Sequence, residues 1–232
     1  MLKRASTTLK ESAVDSPDAF DGQSRRVRNG ADREELFAHK RLTILRTAAR
    51  LFNERGFYTT SLNDLAGLLK VTKPALYYYV KSKNDILLQI LNVAMREIDA
   101  AIVEAERGAG TAEQKLRMFI GSYTDLINGD FGKCLVLSGL SPLDETSREQ
   151  LKPSFRRIDR ALRRIVRKGV ADGSLTTADP KIATFAIFGS LHWMTYWFSP
   201  GGKLDNAQIA ERITRLFLDG LLPRKRAAPR TR

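Results

Sequence analysis

The sequence predicts an all-α protein with a small N-terminal unit and a larger C-terminal helical bundle. From Glu34 onward, apolar residues recur at helical spacing. No stretch alternates apolar and polar residues in the way that marks a half-exposed strand. The apolar segments are separated by short breaks with Gly, Pro or Asn, as expected between helices of a bundle.

The composition favours a binding protein over an enzyme. The 232 residues include 39 Lys and Arg against 26 Asp and Glu, a net charge of +13 that predicts an anionic partner without identifying it. The single Cys134 excludes a disulfide framework and a multi-cysteine zinc site. His39 and His192 leave little material for metal or triad chemistry. We therefore expect no metal, no cofactor and no catalytic residues.

Neither a secretory signal nor a membrane span is predicted. The basic N-terminus lacks a following apolar stretch. Residues 182–202 carry no Asp, Glu, Lys or Arg, but Pro200 and two glycines end this segment before it reaches the about 20 apolar residues of a spanning helix. We expect a soluble, cytoplasmic protein with no membrane partner.

The elements of the N-terminal unit follow in order. A first helix begins near Glu34 and ends at Gly56, since glycine commonly follows the last turn. A second helix starts at Ser61, a capping hydroxyl with an acid three residues later. A third runs from Thr72 through Tyr79, with Pro74 in its first turn. The segments divide into an arm predicted to be disordered (1–32), a small helical domain (33–83), a larger helical domain (84–222) and a basic tail predicted to be disordered (223–232).

The C-terminal domain is predicted to be helical throughout. A long helix starts at Asn84 or Asp85 and continues to about Glu106. Five more helices are predicted, over 112–128, 132–139, 146–172, 179–198 and 205–221.

The turn between the second and third helices is typical of a helix-turn-helix. Val71 is apolar in the turn, while Leu76 and Val80 face inward at i, i+4. Lysine, methyl and tyrosine groups are then left at the outer surface near the start of the third helix. These groups suit the base edges and phosphates of a DNA major groove.

Residues 56–87 resemble the DNA-binding region of the TetR family of transcriptional repressors. The matching positions are Gly56-Phe57, Thr60-Ser61, Leu65-Ala66, Leu76-Tyr77 and Ser82-Lys83. Lys70 and Pro74 stand where the family commonly has glycine, and a positive φ at Lys70 would cost about 1 kcal/mol. The resemblance implies that the residues near bases are Lys73, Pro74, Ala75 and Tyr78, and that those contacting phosphates are Thr60, Ser61, Thr72, Tyr77, Tyr79 and Lys83. Core packing of the tyrosines and a solvated Lys83 are the alternatives.

The last two predicted helices are the best candidates for a two-fold dimer interface, because helix 179–198 is apolar on more than one side. TetR-like proteins dimerise in this way. The predicted interface residues are Phe185, Gly189, Trp193, Trp197, Ile209, Ile213, Leu216 and Phe217.

The resemblance also implies an effector pocket inside each bundle. Its candidate residues are Met95, Phe119, Tyr123, Ile127, Phe131, Cys134, Leu137, Phe155, Ile158, Phe188 and His192; ordinary core packing is the alternative for each apolar one. We further hypothesise that Arg160, Arg163 and Arg164 bind the phosphates of a coenzyme A thioester, since guanidinium groups suit phosphate. A solvated face is the alternative.

The sequence thus predicts a homodimeric TetR-like repressor that occupies a palindromic operator in the nucleoid and leaves it on binding a small effector. An effectorless DNA-binding protein of nucleoid or division control and an activator remain open. A helical-bundle enzyme is the least favoured alternative, since no nucleophile–base pair or phosphate loop is present.

Overall fold

A computed structural model describes residues 30–220 of the chain as a set of α-helices without strands. The helices are α1 Gly30–Arg55, α2 Leu62–Leu68, α3 Lys73–Tyr77, α4 Lys83–Arg107, α5 Ala112–Asn128, α6 Asp130–Ser138, α7 Glu145–Asp172, α8 Pro180–Trp197 and α9 Asn206–Asp219. This confirms the all-α prediction. The predicted tail and residues 1–29 of the predicted arm lie outside the described residues.

The helix boundaries follow from local capping. Ser61 and Asp64 form the reciprocal capping box at the start of α2, as predicted. Thr72 caps α3 by accepting a hydrogen bond from the Ala75 amide at 3.4 Å. The exception is α1, which begins at Gly30 rather than near Glu34. The last residues of the predicted arm are therefore helical; Asp32 in the first turn favours this start through the helix dipole.

Helix α4 joins the N-terminal unit of α1–α3 to the bundle of α5–α9. Its side chains Ile86, Leu87, Ile90 and Leu91 are fully buried, since α1, α5, α6 and α7 pack around it. One continuous core therefore extends from the N-terminal unit into the bundle.

A second connection runs between α1 and α6. Arg50 of α1 pairs with the Asp130 carboxylate at 2.9 Å, and the Asn53 side chain donates to the Asp130 carbonyl at 3.0 Å. The Arg46 guanidinium lies 5.9 Å from the centre of the Phe131 ring. The start of α6 is thus attached to the N-terminal unit by polar and cation–π contacts. None of the described helices is both long and apolar enough to pass through a bilayer.

Candidate functional site

The first candidate site is the outer surface of α3. Leu76 and Val80 are buried, as predicted, and hold this short helix against α1 and α2. The opposite side exposes Lys73, Pro74, Ala75, Tyr77 and Tyr78. Tyr78 is 72% exposed, which is unusual for a large aromatic residue without a partner surface. The side chains that are exposed on the outer surface of α3 are therefore among those that the sequence analysis predicted to contact DNA.

The turn before α3 has the strained geometry anticipated at Lys70. Lys70 has φ 54°, and it is the one residue other than glycine with positive φ between residues 30 and 220. The turn is closed by hydrogen bonds from the Lys70 amide to the Gly67 carbonyl and from the Val71 amide to the Ala66 carbonyl. Glycine would be less strained at this position, and lysine destabilises the turn by about 1 kcal/mol relative to glycine.

Tyr79 has a structural contact that the sequence did not reveal. Its ring stacks on Phe37 of α1, with centroids 4.9 Å apart, and Tyr78 meets both rings edge-on. Burial raises the pKa of Tyr79. Tyr79 therefore links the end of α3 to α1, in agreement with the alternative that the tyrosines pack in the core. Its phosphate contact stays a prediction.

The predictions for Thr60 and Lys83 need correction. Thr60 is buried and donates its hydroxyl to the Gly56 carbonyl at 2.9 Å. The Lys83 ammonium donates to the carbonyls of Phe57 at 2.9 Å and Thr60 at 2.8 Å, and lies 4.4 Å from the centre of the Phe57 ring. These carbonyls turn inward in the loop between α1 and α2, so they require donors. Both side chains hold this loop instead of pointing to phosphates. Ser61 and Thr72 remain exposed but use their hydroxyls as caps.

The second candidate site is a cavity of about 420 Å³ inside the bundle. Helices α4, α5, α6, α7 and α8 contribute to its wall. Six predicted residues line it: Met95, Tyr123, Phe155, Ile158, Phe188 and His192. Seven others were missed by the sequence analysis: Ile98, Leu135, Val136, Gly139, Leu140, Asp159 and Phe185.

Five apolar residues predicted for the pocket lie elsewhere. Phe119, Ile127 and Cys134 are fully buried in the core, Phe131 lies near Arg46, and Leu137 is half-buried outside the cavity wall. Burial raises the pKa of the Cys134 thiol to about 11, as suits a small buried apolar residue. On α6, Leu135 and Val136 face the cavity, as do Gly139 and Leu140 just after its end, whereas Phe131, Cys134 and Leu137 do not.

The cavity is mainly apolar and contains two polar pairs. The Tyr123 hydroxyl lies 2.5 Å from Nε2 of His192, and burial raises the pKa of the tyrosine and lowers that of the histidine. Asp159 in the α7 wall accepts a hydrogen bond from Arg163 at 2.6 Å. The histidine is therefore neutral, and the Asp159 carboxylate is paired through Oδ2 while its buried Oδ1 has no partner among the described residues.

The three predicted phosphate-binding arginines do not line this cavity. Arg163 pairs with Asp159, and Arg164 forms two hydrogen bonds of 2.9 Å with Glu106 of α4. Glu106 is within reach because α7 packs along α4, whereas Asp159 lies one turn before Arg163 on α7 itself. Arg160 is exposed. The prediction that all three guanidinium groups are available to an effector is therefore corrected for Arg163 and Arg164.

The third candidate site is the outer face of α8 and α9. Phe185, Gly189, Trp193, Trp197 and Leu216 are exposed, with Trp193 at 64%. Ile209 is buried inside its own protomer, and Ile213 and Phe217 are half-buried against the core. Ile209 therefore belongs to the core of the chain and not to the dimer interface, while the assignment of Ile213 and Phe217 to that interface stays a prediction. Across residues 30–220, no group of three His, Cys, Asp or Glu side chains is arranged to hold a metal.

Known proteins resemble this chain in both its N-terminal and its C-terminal part. Residues 44–90 match the family "Bacterial regulatory proteins, tetR family", and residues 109–221 match "Tetracyclin repressor-like, C-terminal domain". The chain is 32% identical to the TetR family transcriptional regulator PfmR from Thermus thermophilus. That crystal structure aligns with a TM-score of 0.72 over 78% of this chain and 99% of the other.

Two further proteins are similar to this chain at lower sequence identity. The fatty acid metabolism regulator protein of Bacillus subtilis (strain 168) is 23% identical over 185 residues, 78% of this chain and 95% of that protein. A crystal structure of AibR in complex with isovaleryl coenzyme A and operator DNA has a TM-score of 0.71 and 22% identity, over 77% of this chain and 98% of the other. At this identity, AibR supports the fold alone.

Proposed function

Because the chain belongs to the TetR family of bacterial regulators, which are DNA-binding proteins and not enzymes, we propose that it is a homodimeric repressor released from a palindromic operator by a small effector. The observation that carries the effector part of this proposal is the 420 Å³ cavity. It falls within the range of about 300–1,000 Å³ that is typical of ligand sites. An effectorless protein would be expected to fill this space with side chains.

The proposed DNA contacts are the exposed residues of α3. Lys73, Pro74, Ala75 and Tyr78 approach the bases, while Tyr77 and the capping residues Ser61 and Thr72 approach phosphates. Exposure of the apolar rings of Tyr77 and Tyr78 to water is unfavourable, and a DNA groove would cover them. Operator binding also implies a location at the nucleoid.

The proposed dimer forms through the exposed aromatic face of α8. Trp193 and Trp197, together with Phe185, leave an apolar surface of a kind that monomers rarely expose. Gly189 lies exposed on the same helix and lets a second helix approach closely. A two-fold axis here would present two copies of α3 to successive turns of the major groove, about 34 Å apart.

The proposed effector is an acyl-coenzyme A thioester whose acyl chain enters the cavity. The apolar walls suit the chain, and Phe155 of α7 combines a cavity-facing position with partial exposure, so it marks the entrance. Arg160 is exposed one position beyond the cavity residue Asp159 and is the remaining candidate for a coenzyme A phosphate. The coenzyme A ligand of AibR and the lipid-related role in the name of the Bacillus relative agree with this ligand class.

Release requires the effector to bind the DNA-incompetent arrangement more tightly than the competent one. Helix α6 is suited to couple the two sites, since it lines the cavity with Leu135 and Val136 and contacts α1 through Asp130. A displacement of α6 by an acyl chain would therefore change its contacts with α1 and so the position of the DNA-binding unit.

The test is fluorescence anisotropy with the DNA upstream of the protein's own gene, repeated with acyl-coenzyme A thioesters of increasing chain length. We expect specific, salt-sensitive binding and loss of binding with one range of chain lengths. Arg160→Gln should weaken the response to the thioester without changing DNA affinity, and Arg156→Gln is the matched control. If no thioester alters DNA binding, the proposed effector class is wrong. If the protein increases transcription from a template that carries the operator, it is an activator and not a repressor.

A further inference from the structure

We propose that His192 recognises the polar group of the effector through an Nδ1–H donor, and that this group is an uncharged carbonyl oxygen of an ester, thioester or ketone. The proposal rests on the effector function above and specifies the chemistry that the cavity selects. It is carried by the geometry of the Tyr123–His192 pair and by the nature of the surrounding wall.

The Tyr123–His192 contact determines which imidazole nitrogen carries the proton. The hydroxyl of Tyr123 lies 2.5 Å from Nε2, and this is its sole hydrogen bond to any residue between 30 and 220. If Nε2 were the donor, the tyrosine proton would have no acceptor in a buried position, which is costly. The hydroxyl therefore donates to Nε2. Since burial also lowers the pKa of His192, the ring is neutral and its proton is on Nδ1.

The Nδ1–H group is available to a ligand. No described residue accepts a hydrogen bond from it, yet Nδ1 is not one of the buried, unpartnered polar atoms of the described chain. It therefore lies at an accessible surface of a side chain that lines the cavity. Met95, Ile98 and Phe188 in the cavity wall have no oxygen acceptor on their side chains, and the Asp159 carboxylate, which has, forms no hydrogen bond with His192. A ligand oxygen would supply the missing partner.

The other charges explain why this oxygen is uncharged. No lysine or arginine lines the cavity, so a ligand carboxylate would lose its hydration without gaining a cation. It would also share the cavity with the carboxylate of Asp159. A ligand cation would have to share that carboxylate with Arg163, which already holds its Oδ2 atom and leaves only Oδ1 without a partner among the described residues. A plain hydrocarbon would leave the Nδ1–H group without an acceptor. A carbonyl oxygen accepts this hydrogen bond and has no proton of its own that would require a second partner.

The first experiment observes the tautomer directly by long-range ¹H–¹⁵N NMR of the ¹⁵N-labelled full chain. The sequence has 2 histidines, so His192→Phe identifies one ring and leaves the other as an internal reference. We expect His192 to be protonated at Nδ1, and Tyr123→Phe to shift the ring towards the Nε2–H tautomer. Protonation of Nε2 in the wild-type protein would overturn the proposal.

The second experiment measures affinities for ligands with a common chain, namely methyl decanoate, decanoate and decane. The wild-type protein should bind the ester at least about tenfold more tightly than the carboxylate. His192→Phe should weaken ester binding by roughly five- to tenfold, the worth of one hydrogen bond, and leave decane binding unchanged. Phe188→Leu is the control, expected to weaken all three ligands together. Preference for decanoate, absence of ester binding, or equal loss of ester and decane binding in His192→Phe would each refute the assignment.

The two proposals fail separately. If the ester binds as predicted and no thioester releases DNA, the effector function is wrong while the role of His192 stands. If decanoyl-coenzyme A releases DNA from the wild-type protein and from His192→Phe at equal concentration, the effector function stands and the role of His192 is wrong.

Discussion

Replacing Lys83 by methionine tests the reassignment of this residue from DNA to the loop between α1 and α2. The substitution keeps the length of the side chain but removes hydrogen bonds of 2.8 and 2.9 Å to the carbonyls of Thr60 and Phe57. Hydrogen bonds to charged groups contribute about 1.5–3 kcal/mol each. The cation–π contact with Phe57 adds about 0.5–1 kcal/mol.

The expected loss is about 3 kcal/mol, because Lys83 is half-buried and water can reach part of the vacated space. For a chain of this size, such a loss lowers the Tm by roughly 6–12 °C. Urea unfolding at fixed protein concentration gives the free energy, and a thermal scan gives the Tm. DNA binding of the folded variant should keep its salt dependence, since no phosphate contact is removed.

Lys73→Met is the matched control, because Lys73 is exposed at the first position of α3. This variant should keep its stability while its DNA affinity falls and its salt slope decreases by about 1. If Lys83→Met instead unfolds like the wild-type protein and shows the reduced salt slope, Lys83 is a phosphate ligand and its structural assignment is refuted.

Three further predictions concern dimerisation, coupling and pH. Trp193→Glu places a charge on the exposed face of α8 and should give a monomer by light scattering; an unchanged mass would argue against this interface. Asp130→Ala removes the ion pair with Arg50 and should reduce the maximal effector-induced release of DNA in anisotropy titrations, and undiminished release would show that α6 couples by another route. Because burial lowers the pKa of folded His192, the unfolded chain takes up the proton first as pH falls below about 6.5, so the free energy of unfolding decreases there. His192→Phe should remove that part of the urea-monitored pH dependence, and an unaltered pH profile would mean that other groups cause it.

Much of the fold could be predicted because its signals are local. The capping box at Ser61 and the cap at Thr72 involve residues three positions apart, and both are present. The positive φ at Lys70 follows from the short turn that the two helices require. The start of α1 was misplaced because its first turn carries no large apolar residue that a periodic pattern could detect.

The candidate sites were predicted less completely because they depend on contacts between distant segments. The sequence indicated an apolar face on each helix, but not whether that face meets side chains, as at Cys134, or empty space, as at Leu135. It likewise showed a basic face on α7, but not that Glu106, 58 positions away, would neutralise Arg164.

The sequence by itself determined the helical class, the position of the helix-turn-helix and the residues that α3 exposes, since all three follow from spacing within a few turns of helix. Only the tertiary structure decided that Lys83 holds a loop, that Tyr123 orients His192 and that a cavity opens beside Asp159. The reason is physical. Spacing along a helix specifies the direction of a side chain, whereas its hydrogen bonds and its burial depend on which other helix packs opposite.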